Sequence, residues 1–468
     1  MLTKYRSFAV FVILLLFVSV LRADSVDDLI KSEMQRQKIP GISLAVLKNG
    51  KVVKTQGYGL ANVELNVPAT PDTVFKIGSV SKQFIASGIM LLVADGKVGL
   101  DDKIGKYFDG SPQIWKDITV RHLLTHTSGL VRESPGFDPQ KIQSDADVIK
   151  AAYASPLQFA PGEKYQYCNL GYFILAEITH KVSAKTWGDF LNERIFAKLG
   201  MSSTHVTSET DIFPNRASGY RLEDGKIYNA PNYTAVRPSG AFVSNVVDLA
   251  KWESALYTES VLKESARAQM WTPATLNDGR KNPYGFGWDL NDFRGTRTIQ
   301  HGGILNGFLS QYLRFPDHGL TIIILSNFRH GNIDRIAKGV MTKYVSGSDL
   351  AGIKPKNDPN PETTQLHKKL LEDFANDVKD LPQTTVEFNT ALAAMPPASR
   401  TAPTEQIKKQ TSFVFLTKID VSGKGIVRGG TPIETIWSYR SSAPGKTTFF
   451  TFYTTTDKKV AHFEPSDY

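Results

Sequence analysis

The sequence predicts an α+β domain in which one antiparallel sheet is assembled from both ends of the domain, with a helical lobe between them. Three observations carry this prediction. Strand-like text runs from Gly41 to Tyr58, helical and loop-like text broken by Pro and Gly fills Asp101 to Leu290, and strand-like text returns from Thr296 to Ser326. Strands, helices, then strands is the order expected when the two ends of a domain meet in one sheet and its middle packs as a second lobe. A cleft between the lobes is the natural place for a ligand.

The elements follow from local signals. Lys4 and Arg6 precede an apolar run from Phe8 to Leu21, followed by Arg22, Ala23 and Asp24. A basic start, an apolar core and a small residue at the break read as a signal peptide over residues 1–23, which predicts a secreted or periplasmic protein. The competing reading, an uncleaved anchor, needs ~20 apolar residues, more than this run supplies. Val26 to Gln37 has an amphipathic helical pattern. Gly41 to Lys48 and Lys51 to Tyr58 form a hairpin through Asn49-Gly50, a strong two-residue turn signal. Phe84 to Val93 is an apolar helix. The late strands are Thr296 to Gln300, Ser310 to Phe315 and Leu320 to Ser326, with a closing helix from Ile333 to Val345. The domain therefore spans 24–346. Residues 347–361, with Lys354-Pro-Lys-Asn-Asp-Pro-Asn-Pro361, have the composition of a linker. Residues 362–468 read as a small α+β accessory domain. It has a helix from Glu362 to Val378 and short strands at Phe413 to Val421, Thr431 to Tyr439, Thr447 to Thr454 and Val460 to Phe463. It carries no catalytic constellation.

Composition excludes several classes. The 468 residues are 41% hydrophobic and 22% charged, ordinary for a globular protein, and the formal charge is +9. The basic residues are scattered, which is a solvated surface and not a nucleic-acid footprint. Cys168 is the single cysteine, so neither an intrachain disulfide nor a multi-thiolate metal site can form.

Chemistry concentrates in three places. Ser79 and Lys82 form an S-x-x-K pair in Phe75-Lys-Ile-Gly-Ser-Val-Ser-Lys-Gln-Phe84. At i and i+3 of a helix the hydroxyl and amine are neighbours, and the helix start favours a developing negative charge. The pair alone is weak, because Ser260-Val-Leu-Lys263 repeats it with nothing around it. Tyr167-Cys168-Asn169 supplies a Y-x-N, and His301-Gly302-Gly303 an H-x-G, placed at the end of a predicted strand. The ordered set S-x-x-K, Y-x-N, H-x-G resembles the penicillin-recognising serine hydrolases, in the branch that holds class C β-lactamases, D-alanyl-D-alanine carboxypeptidases, D-aminopeptidases and esterases. Arg121-His-Leu-Leu-Thr-His-Thr-Ser-Gly-Leu130, Pro238 to Ser244 and Tyr284-Gly-Phe-Gly-Trp288 are also typical of that branch.

The resemblance implies the β-lactamase/penicillin-binding fold and acyl transfer through Ser79. Lys82 and Tyr167 would share the base's task, the location of the proton being left open, and Tyr167 would protonate the leaving group. It further implies an oxyanion hole from the N–H groups of Ser79 and Ile304, a substrate contact at Asn169, and a catalytic-site position for His301. Gly302 and Gly303 would let substrate approach the strand edge. His301 stands where many β-lactamases keep a lysine, so the site has less positive charge for a β-lactam carboxylate. The expected substrates are D-amino-acid peptides or amides, or small esters, with no cofactor, no metal, and an association with the cell wall. Two alternatives are a true β-lactamase and a weakly active envelope-binding module. Other readings weigh less. His301-Gly-Gly could be an α/β-hydrolase oxyanion loop, but no G-x-S-x-G follows. His122 and His126 lack the glutamate of a zinc protease and read as structural. Cys168 reads as a buried filler and Ser81 as a pocket or helix residue.

Overall fold

The computed structural model describes residues 25–232, 237–395, 404–405 and 407–466. The N-terminal run read as a signal peptide lies outside them. The chain packs as two compact units. One comprises the described residues up to Leu290 together with Thr298–Lys343, and the other comprises Asn291–Arg297 and the described residues from Tyr344 onward.

The first unit is built on a six-stranded sheet. Its spatial order is Ile299–Leu305, Phe308–Phe315, Leu320–Ser326, Gly41–Lys48, Lys51–Asn62 and Val67–Pro68. The central pairing, Gly41–Lys48 against Leu320–Ser326, is antiparallel and joins the two ends of the unit. Both strands are apolar and almost wholly buried, as strands covered on both faces are. Asn49 and Gly50 both have positive φ, 51° and 72°, which matches the turn their sequence demands. Helices Lys82–Ala94, Asn169–Ser183 and Val246–Ala255 pack with the sheet in one apolar core. Phe84 anchors it, with Phe196, Phe242 and Trp252 at ring separations of 5.1, 5.8 and 5.2 Å.

One predicted strand divides. Thr296–Arg297 pairs with Asp292–Phe293 in a small hairpin, and a separate strand runs from Ile299 to Leu305. His301-Gly302-Gly303 therefore lies within a strand and not after one. That strand is at the edge of the sheet, so one of its sides has no strand neighbour.

The second unit is a four-stranded antiparallel meander, Ser412–Asp420, Thr435–Ala443, Lys446–Thr454 and Val460–Ser466, with helices Pro361–Ala375 and Val386–Ala394. Leu370, Leu371, Phe415, Trp437, Tyr439 and Phe452 form its core. The hairpin arm Asn291–Arg297 belongs to this unit: Asp292 pairs with Arg428, and Arg294 donates to the Ser348 carbonyl and to Ser466 Oγ. Residues 347–361 differ from a free linker, since Leu350 is buried with Leu416 and Phe449.

Candidate active site

Ser79 sits in the tight turn Gly78–Ser81, and Lys82 opens the α-helix that follows. Gly78 has φ +51°, and a Cβ there would lie 3.0 Å from the Ile304 nitrogen. Glycine thus lets the serine turn abut the sheet-edge strand, bringing the backbone of Ser79 and of Ile304 to one place. Lys82 is fully buried. Its Nζ lies 3.2 Å from Ser79 Oγ, 2.8 Å from Asn169 Oδ1 and 2.8 Å from the Ser239 carbonyl oxygen. The last two atoms only accept. Two N–H groups serve Asn169 and Ser239, and the third direction faces Ser79 Oγ, to which an ammonium donates and from which a neutral amine accepts. Burial, reinforced by Arg237 and Arg132 against the opposing pull of Glu133, holds the Lys82 amine well below its ordinary range.

Tyr167 hydrogen-bonds Ser79, and burial raises its phenol above the ordinary range. Lys82 Nζ and the Arg132 guanidinium lie 4.6 and 5.1 Å from its ring centroid. The two groups the sequence pairs as a shared base are shifted in opposite directions. The amine is biased toward its neutral form and the phenol toward its protonated form.

The remaining predicted residues fall around this centre. Asn169 accepts from Lys82 through Oδ1 and donates through Nδ2 to Glu133, which in turn pairs with Arg237 at 3.0 Å. Both ends of Asn169 are thus engaged by protein, and it positions Lys82. His301 Nδ1 lies 2.7 Å from the Gly302 carbonyl, which can only accept, so Nδ1 carries the proton and Nε2 accepts from Tyr284 Oη at 2.9 Å. Burial, with Lys82 nearby, pushes the imidazole down to about 3. His301 is therefore a neutral strut with both nitrogens committed, and not the charged counterpart of a lysine. Gly302 is exposed on the strand. Gly303 is glycine for a different reason than substrate approach: a Cβ there would meet the Ile77 carbonyl oxygen at 2.1 Å and Ser310 Oγ at 2.2 Å.

The lesser candidates have structural work. His122 closes a capping box with Thr119. The Cys168 thiol caps the helix at Gly171, and burial raises it to about 12. Ser81 Oγ accepts from the Phe242 N–H. Sequence reasoning missed Glu133, Arg237, Arg132 and the role of Tyr284; Ser239 and Tyr284 lay in recognised text, whereas Glu133 and Arg237 carry no local pattern. Beside Ile304 opens a cleft of about 340 Å³, lined among others by Lys76, Glu133, Phe137, Arg237 and Arg329.

A family model described as Beta-lactamase matches residues 26–341. Penicillin-binding protein 4* of Bacillus subtilis (strain 168) is 31% identical over 63% of this chain and 69% of its own length. D-aminopeptidase of Brucella anthropi is 30% identical over 67% of this chain and 62% of its own. The chain thus spans about two thirds of these relatives' length. Among solved structures, D-amino acid amidase from Ochrobactrum anthropi SV3, complexed with D-phenylalanine, superposes with a TM-score of 0.59 at 26% identity, covering 69% of this chain and 96% of that one.

Proposed function

The chain belongs to the beta-lactamase family and is a serine hydrolase of that fold, and from this premise we propose that it is an exported enzyme that cleaves D-amino-acid amides and peptides, or small esters, through an acyl-enzyme on Ser79. The observation that carries the reading is the placement of the buried Lys82, whose Nζ lies 3.2 Å from Ser79 Oγ and is held there by Asn169 and the Ser239 carbonyl. In the reaction, Lys82 takes the Ser79 proton as Oγ attacks the carbonyl carbon. The N–H groups of Ser79 and Ile304 receive the developing oxyanion. Tyr167 gives its proton to the departing amine or alkoxide as the tetrahedral adduct collapses, and is reprotonated through Lys82. Water then repeats the sequence on the ester and frees the acid. Relatives named as a D-aminopeptidase and a D-amino acid amidase support the substrate class. The neutral, fully committed His301 ranks β-lactam turnover below it, because no imidazolium is present to hold a carboxylate. Export rests on the leader-like residues 1–23, and N-terminal sequencing of the mature protein tests it: a start at Asp24 is expected, and a start at Met1 in a cell-associated protein refutes it. For the chemistry, intact mass after a fluorophosphonate shows an adduct that Ser79→Ala abolishes. A panel of D- and L-amino-acid anilides, nitrocefin and p-nitrophenyl esters then ranks substrates. Absence of the adduct on the unaltered protein refutes the covalent reading.

A further inference from the structure

One fully buried residue outside the reacting groups holds the segment of Tyr167 at three points. The carbonyl oxygen of His126 accepts from the Gln166 N–H at 2.9 Å. Its ring Nδ1 accepts from the Cys168 N–H at 3.1 Å. Its ring lies 4.3 Å, centroid to centroid, from the ring of Tyr167 itself. Gln166 and Cys168 are the two neighbours of Tyr167, so a single residue binds the main chain on both sides of it. Carbonyl and ring reach the same segment because His126 adopts φ +59°, a left-handed conformation in which histidine is among the enriched non-glycine residues. Since Nδ1 accepts, the ring proton is on Nε2, and that atom is buried with no hydrogen-bond partner. An unpaired buried N–H destabilises a fold. Phenylalanine would avoid that cost and fill the same space, yet it could not hold the Cys168 N–H. Tyr172 and Tyr284, 5.2 and 4.6 Å from the His126 ring, close the remaining sides, so the ring has little freedom to leave.

We propose that His126 is the positioning residue for Tyr167, clamping the main chain before and after it so that the phenol hydroxyl is presented to Ser79. The proposal rests on the reading of Tyr167 as the acid for the leaving group. The clamp acts on geometry alone: it sets the position of a proton donor, and a shift of the order of 1 Å at such a group costs about 10²-fold in rate.

The test is a double-mutant cycle in the full-length protein, read as the acylation rate and KM with a D-amino-acid anilide, whose departing nitrogen must take a proton. His126→Leu removes ring and acceptor, and is expected to slow acylation about 10²-fold with KM changed by less than about threefold. His126→Asn restores an oxygen acceptor and tolerates the backbone, and is expected to recover at least about tenfold of that loss. In a Tyr167→Phe background His126→Leu is expected to add nothing, because the hydroxyl it positions is gone. The proposal is overturned if His126→Leu acylates at the normal rate, or if it slows the Tyr167→Phe protein by the same factor as the unaltered one. Both outcomes leave the role of Tyr167 standing. If Tyr167→Phe alone acylates at the normal rate, the acid role itself is wrong and the clamp falls with it. Should the leucine variant not fold, His126→Phe, which keeps the ring and loses only the acceptor, replaces it in the cycle, and the same rates support or overturn the clamp.

Discussion

Gly303→Ala puts one methyl group between the strand that carries Ile304 and the turn that carries Ser79, the two proposed oxyanion donors. The added Cβ would stand 2.1 Å from the Ile77 carbonyl oxygen and 2.2 Å from Ser310 Oγ, where real Cβ contacts essentially never fall below 3.0 Å. Ser310 can rotate away, at the loss of its 2.6 Å bond to the same Ile77 carbonyl. The carbonyl cannot: it is main chain, two residues before Ser79. Relief therefore requires the strand and the serine turn to separate by about 1 Å, the scale at which a reacting geometry loses about 10²-fold in rate. Ile304 N–H, the next donor along the strand, moves away from Ser79 by a similar amount. Losing one oxyanion donor costs about 10²–10³ in kcat, or roughly 3–4 kcal/mol of transition-state stabilisation. Stopped-flow acylation with a p-nitrophenyl ester reads the rate, and a thermal melt confirms the fold. Gly302→Ala is the control, because its Cβ would meet chiefly the flexible Gln311 side chain at 3.1 Å. It should retain activity within about tenfold, well short of the donor loss. A folded Gly303→Ala protein that acylates within about threefold of the unaltered rate would refute the packing argument and the placement of Ile304 in the oxyanion hole.

The remaining expectations concern protons. Lys82 is held low chiefly by burial and then by Arg237, so the acid limb of kcat/KM, where activity rises as the amine loses its proton, lies well below the usual lysine range. Arg237→Gln removes a repelling charge and takes from Glu133 its ion-pair partner, so the limb moves to higher pH; a pH-rate profile that moves down or stays fixed contradicts the assignment of Lys82 as base. Tyr167→Phe should lower kcat for amides by about 10²–10⁴ and have a smaller effect on p-nitrophenyl esters, whose leaving group needs no proton; equal losses on both substrates would rule out the acid role. His301 and His367 are both pushed down to about 3 by burial. The unfolded chain takes up their protons near pH 6.5 and the folded chain does not, so the stability they permit is full above pH 6.5 and is lost as pH falls toward about 3. Urea midpoints measured from pH 7.5 to 4.5 should fall steadily, and midpoints that stay level over that window would show the imidazoles are not buried neutral.

The positions of Ser79, Lys82 and Tyr167 were legible because their spacing is local and the S-x-x-K turn announces its own helix. The hairpin at Asn49-Gly50 was legible for the same reason. The break at Thr298 was not, because Thr296–Arg297 and Ile299–Leu305 are both strand text and only their different partners separate them. Glu133 and Arg237 were out of reach, since Asn169 meets Glu133 across 36 positions and Glu133 meets Arg237 across 104. Such long-range pairs leave no periodic trace. Gly303 was recognised as a glycine that had to be one, but the reason was sought on the substrate side when it lies on the Ile77 side. His301 was read from the charge it lacks. Its actual work, bridging the Gly302 carbonyl and Tyr284, depends on a tyrosine seventeen positions earlier.

The hairpin arm makes the order of the gene differ from the order of the folded units. The chain passes from the first unit to the second at Leu290, returns at Thr298, and leaves again after Lys343. A stop codon placed after residue 346 would therefore not excise the second unit. It would strand the arm, with Phe293, otherwise buried, and Gly295, otherwise facing Val421 and Ile436, turned to water. The clean excision is two edits: the stop codon, and replacement of 291–297 by a short turn. Asp289 and Gln300 already exchange two backbone hydrogen bonds, at 2.8 and 2.9 Å, and would close that turn as a hairpin. In sequence the second unit is thus an insertion plus a tail, and removing it takes both edits.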